Sequence, residues 1–71
     1  MRRYTHQSHT VMARAPTYDL IVAAIARMHG TSPERVQIHG ERVVVEGIRK
    51  AHCRVVAYGR EWRYESGAPR S

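Results

Sequence analysis

The sequence predicts an α+β domain, one helix packed on a four- to five-stranded antiparallel sheet in the order β-α-β-β-β-β. Three features point there. An apolar stretch with helical spacing lies between a capping residue, Thr17, and a stop residue, Gly30. From Arg35 onward the apolar period changes from helix-like to two, the alternation of a half-buried strand. Glycines then punctuate the chain at spacings that suit tight turns between antiparallel neighbours.

In chain order, residues 1–9 read as a loose polar arm, and Val11-Met12-Ala13 as the centre of a short strand over Thr10–Arg14. Thr17 can accept a free backbone N–H of the first helical turn, and Asp19 suits the positive end of the helix dipole. The helix is expected over Tyr18–His29, with Gly30 as a left-handed C-cap. Ile21, Ile25 and Met28 form one apolar stripe, which Leu20, Val22 and the alanines widen. A helix so apolar is expected to be covered on more than one side, by a second sheet edge, the N-terminal arm or a partner subunit. Thr31-Ser32-Pro33-Glu34 allows at most one further turn, with Pro33 at its first position.

Strands are expected at 35–39, 42–46, 51–58 and 61–65, as a meander. A Gly40-Glu41 turn pairs Ile38 with Val43 and Val36 with Val45. A three-residue Gly47–Arg49 loop pairs Val45 with Ala51 and Val43 with Cys53, and a Gly59-Arg60 turn pairs Ala57 with Trp62 and Val55 with Tyr64. A slip of one residue would invert every side chain, yet all these pairings keep one face. The core face is therefore Val36, Ile38, Val43, Val45, Ala51, Cys53, Val55, Ala57, Trp62 and Tyr64. Alternation makes the opposite face wet, with Arg42, Arg54, Tyr58, Glu61, Arg63 and Glu65 on it. Glu46–Lys50 and Arg54–Glu65 should be attractive cross-strand pairs. Residues 66–71 read as a mobile tail.

At 71 residues the chain is one small domain with a marginal core, so dimerisation or docking on a partner would help it. The longest apolar run, Leu20–Ala26, falls far short of the roughly 20 residues of a membrane span. Met1-Arg2-Arg3 leads into a polar stretch and not the apolar core of a signal peptide. Cys53 is the only cysteine, so no intrachain disulfide can form, and the expected location is cytoplasmic.

Chemistry-bearing groups are sparse. His6-x-x-His9 and His52-Cys53 offer metal donors, but adjacent residues on a strand point to opposite faces, and a structural zinc needs four converging donors. No metal and no cofactor are expected. No nucleophile elbow or phosphate-binding loop is present, and so short a chain is expected to lack room for a pocket of about 300 Å³. The chain is not expected to be an enzyme.

The charge says more. Twelve cations against six carboxylates give a net charge of +6, and eleven of the twelve are arginine. A GC-rich genome also favours arginine, so the excess charge carries the argument and not the choice of cation. Guanidinium groups match phosphate and carboxylate with a planar fork and stack on rings. Arg49, Lys50, Arg54, Tyr58, Arg60 and Arg63 gather on two turns and the strands joining them, as candidates for binding a partner or nucleic acid. Trp62 and Tyr64 are expected inward, leaving Tyr58 as the one exposed ring of the sheet. No helix-turn-helix and no aromatic-rich RNA-recognition strand accompanies them.

The order of a short strand, the helix Tyr18–His29 and a Gly-punctuated meander ending in Glu61-Trp62-Arg63-Tyr64 resembles that of small phage-encoded anti-CRISPR proteins. The likeness covers Val11–Tyr64 and is one of topology alone. It implies a non-enzymatic inhibitor that binds a protein or nucleoprotein complex such as a CRISPR effector. The basic charge departs from the acidic DNA mimics of that class and suits docking on acidic patches or on bound nucleic acid. The alternatives are a stand-alone DNA- or RNA-binding regulator and a structural module that forms a homodimer.

Overall fold

Pro16 and Thr17 separate the first strand from the helix, and the helix ends are set by local chemistry. In the computed structural model, which describes residues 8–68, β1 spans Ser8–Ala15 and α1 spans Tyr18–Met28. The Thr17 hydroxyl accepts the Leu20 backbone N–H at 3.2 Å, and Asp19 lies in the first turn. His29 is the C-cap and Gly30 follows at φ 68, a conformation that costs glycine nothing. A single 3-10 turn at Pro33–Arg35 leads into β2 (Val36–His39), then β3 (Arg42–Val45), β4 (Ile48–Tyr58) and β5 (Glu61–Ala68).

All five strands form one antiparallel sheet in the order β1-β5-β4-β3-β2. β1 and β2 are therefore opposite edges, about 19 Å apart at ~4.8 Å per strand step. Eleven residues of helix reach roughly 16 Å, enough to carry the chain back across one face of the sheet. α1 packs over β1, β5 and β2 as it crosses. The core beneath it holds Ala15, Ile21, Ile25, Ala26, Val36, Val43, Val45, Val55 and Tyr64.

The β2–β3 and β4–β5 hairpins have the expected register: Val36 faces Val45, Ile38 faces Val43, Val55 faces Tyr64 and Ala57 faces Trp62. The β3–β4 connection differs. Instead of a Gly47–Arg49 loop, Glu46 and Gly47 form a two-residue turn with φ 55 and 82, and Val45 faces Ile48. Positive φ at both central residues is the geometry that matches strand twist in a tight hairpin. Val44 then faces Arg49, and the next pair is Arg42 with Arg54, so Lys50–Cys53 bulge opposite Val43 alone. The bulge restores the expected register from Arg54 onward. Its cost is that Ala51 is exposed and Cys53 only half-buried, and that Glu46 and Lys50 are not partners.

Other expectations need correction at the margins of the core. Ala57, beside the β4–β5 turn, is exposed, and Trp62 is half-buried with its ring edge-on to Tyr18 at 5.3 Å. Met28 and Leu20 are about half exposed, because the buried face of α1 centres on Ile21 and Ile25. Among the described residues nothing covers the outer side of the helix. Ser8 and His9, assigned to a loose arm, belong to β1, and residues 66–68, assigned to a tail, belong to β5. These ends pair with each other, His9 against Gly67, and a Cβ at Gly67 would meet the His9 ring at 2.6 Å. Residues 1–7 of the arm and 69–71 of the tail lie outside the described residues. No helix of the described residues is long and apolar enough to cross a membrane.

Candidate functional site

The sheet face away from α1 is built by alternation from the core positions. On β1, Ala13 and Ala15 pack inward, so Arg14 points out, and its partner across the strands is Arg63. A second row runs His39, Arg42, Arg54, Glu65 across β2, β3, β4 and β5. The face thus sets two pairs of arginines directly opposite one another, Arg14 with Arg63 and Arg42 with Arg54. Like charges at such positions repel.

Two carboxylates offset part of that repulsion. Glu65 is 5% exposed and receives both Nε and Nη2 of Arg54 at 2.9 Å on one oxygen. Removing Arg54 would leave a buried carboxylate uncompensated, which is costly. Glu61 serves the other pair, with one oxygen 2.6 Å from Arg63 Nε and 3.7 Å from Arg14 Nε. The Arg63 guanidinium also lies 4.0 Å over the Tyr58 ring. Arg42, Arg49 and Arg60 are exposed and, among the described residues, form no ion pair.

Arg14, Tyr58, Arg60, Glu61 and Arg63 line an open cleft of about 420 Å³ where the end of β1 meets the β4–β5 turn. So short a chain does have room for such a cleft, because it is an open space between side chains standing out from the sheet and not an enclosed pocket. Its lining contains no Ser, Cys or His.

Of the residues singled out from sequence, the fold brings Tyr58, Arg60 and Arg63 together and sets Arg54 two strand positions away, paired to Glu65. Arg63 is half-buried against Glu61, not a free surface cation. Because Lys50–Cys53 bulge opposite Val43 alone, Arg49 stands six sheet positions from Tyr58, roughly 20 Å. Arg49 and Lys50 thus lie at the far end of β4, and the six candidates do not form one cluster. Arg42 is on the outward face as expected, but neither it nor Arg14 was among the binding candidates. The Ala-Arg-Ala alternation at 13–15 marks Arg14 as outward-facing, but its neighbours follow only from the β1–β5 pairing. His52 is exposed and Cys53 half-buried, and among the described residues no three His, Cys, Asp or Glu side chains converge.

Elsewhere the polar groups are tied into the fold. Tyr64 is fully buried under α1, and its hydroxyl lies 2.8 Å from His29 Nε2. Burial, with Cys53 beside it, pushes the phenol well above its ordinary range.

No protein-family model matches the chain, and neither does any curated protein or solved structure.

Proposed function

We propose that the chain is a small non-enzymatic binding protein whose helix-free sheet face docks on the phosphates of a nucleoprotein complex and inhibits or modulates that complex. This is the behaviour expected of an anti-CRISPR-type protein. The observation that carries the reading is the placement of opposed arginines on the open face, more cations than the two local carboxylates neutralise. A fold gains nothing by facing like charges across its strands, whereas an anionic partner fits between them. The cleft agrees with binding, since arginines dominate its lining and its one carboxylate, Glu61, is engaged by Arg63 and Arg14.

A stand-alone nucleic-acid-binding regulator is the second reading, favoured by Tyr58, a residue 60% exposed among these arginines. Tight binding only to an assembled complex supports the first; comparable binding to bare nucleic acid supports the second. The common test is Arg42→Glu with Arg49→Glu, two exposed side chains on the open face. The double variant should fold and lose at least about tenfold in affinity, roughly 1.4 kcal/mol. Unchanged affinity would show that the open face is only solvated.

A further inference from the structure

The cleft at the β4–β5 turn differs from the rest of the face, because it combines an aromatic ring with a gap between two guanidinium groups. We infer that it holds one unpaired nucleotide of a single strand, with the base on Tyr58 and the phosphate between Arg14 and Arg63. The inference rests on the nucleic-acid reading above and narrows it to a site and a ligand class.

The geometry supplies each part. Tyr58 has one ring face under the Arg63 guanidinium at 4.0 Å and is still 60% exposed, so its other face is open. A base held in a duplex cannot reach that face, whereas an unstacked base of a single strand can. The phosphate position is marked by Glu61. Its Oε2 lies 2.6 Å from Arg63 Nε and 3.7 Å from Arg14 Nε, where a phosphate oxygen would bridge the same two groups. Each guanidinium carries five donors; Arg63 spends one of them on Glu61, whereas Arg14 approaches Glu61 as an ion pair beyond hydrogen-bond distance. Arg60 at the rim adds a third cation, so three positive charges meet one carboxylate in about 420 Å³. Glu61 is then an internal competitor that bridges the two arginines until a phosphate replaces it.

That last point separates this site from a merely basic surface. Glu61→Gln removes the competitor, and Glu34→Gln makes the same change of net charge at an exposed position in the 3-10 turn. The experiment measures binding of the full chain to a short labelled oligothymidylate, to the same sequence as duplex, and to thymidine monophosphate as competitor. Folding of each variant is checked by circular dichroism. Single strand should bind more tightly than duplex. Glu61→Gln should tighten it several-fold and Glu34→Gln far less. Tyr58→Ala should weaken it roughly tenfold and Tyr58→Phe restore it, as expected for stacking. Competition by the mononucleotide identifies a pocket for a single nucleotide from any source; its absence, with the variant effects intact, ties the site to a strand. Equal responses to Glu61→Gln and Glu34→Gln, or a silent Tyr58→Ala, overturn the cleft. If binding then still depends on Arg42 and Arg49, the wider face survives. If no free nucleic acid binds in any form, the cleft site and the stand-alone regulator fall together, and docking on an assembled complex is decided by the Arg42→Glu, Arg49→Glu test.

Discussion

Tyr64 is the largest fully buried side chain, and its hydroxyl is placed under the C-terminus of α1 by a 2.8 Å contact with His29. The two rings also meet edge to face at 5.9 Å, so one residue pair fixes the helix end to β5. Burial raises the folded-state pKa of this phenol above its ordinary value of 10.0. The sign follows from linkage. In the unfolded chain the phenol ionises near pH 10, while the folded chain still holds the proton, so unfolding is favoured as pH rises through and beyond that value. The contribution is therefore complete below about pH 10 and lost above it. Denaturant midpoints measured from about pH 8 to about pH 11 should fall at the alkaline end. Tyr64→Phe should start about 1 kcal/mol lower, having lost the hydrogen bond to His29, and should decline less steeply. Parallel declines of the two proteins would assign the alkaline loss to other groups.

Among the elements, the β3–β4 hairpin shows both the reach and the limit of reading by alternation. Periodicity two places Val36, Val43, Val45, Val55 and Tyr64 on one face, and all are buried. The same rule assumes one residue facing one residue. It could not anticipate a bulge in which Lys50–Cys53 oppose Val43, since nothing in Lys-Ala-His-Cys marks a break as glycine or proline would. The helix was legible to within a residue because its caps are local chemistry. The partnership of β1 with β5 was not, since it joins distant segments with no turn to set the register, and with it went Arg14 and the cleft. The register beyond the bulge also carries a stability prediction. Arg42 faces Arg54 across β3 and β4, and Arg54 is already bound to Glu65. Arg42→Glu turns a repulsive pair into an attractive one in a row that keeps its other contacts. Because Arg54 is partly exposed, screening limits the gain to a few tenths of a kcal/mol. Urea denaturation should show equal or higher stability for this variant, and a clear loss would contradict the observed register.

At the scale of the whole molecule, the question is whether a net charge of +6 acts as a diffuse field or through placed side chains. A diffuse field depends on the total, draws in anions of any shape and fades with salt over a Debye length of about 10 Å at 0.1 M. Placed contacts instead release a fixed number of counterions, each adding about −0.7 to the log–log salt slope for a single strand. Two substitutions separate these cases, because Arg42→Glu and Arg27→Glu both lower the net charge from +6 to +4. Arg42 lies on the open sheet face, whereas Arg27 is exposed on the helix, on the other side of the sheet. If binding runs through the open face, Arg42→Glu should weaken it and flatten the slope by about 0.7, the loss of one phosphate contact. Arg27→Glu should lower affinity slightly at low salt and leave the slope unchanged, since no counterion released on binding comes from that side. The measurement is affinity for labelled single-stranded nucleic acid across a salt series, with both variants beside the parent chain. Equal loss and equal slopes for the two would mean that total charge, not the arrangement of arginines on the sheet, governs association.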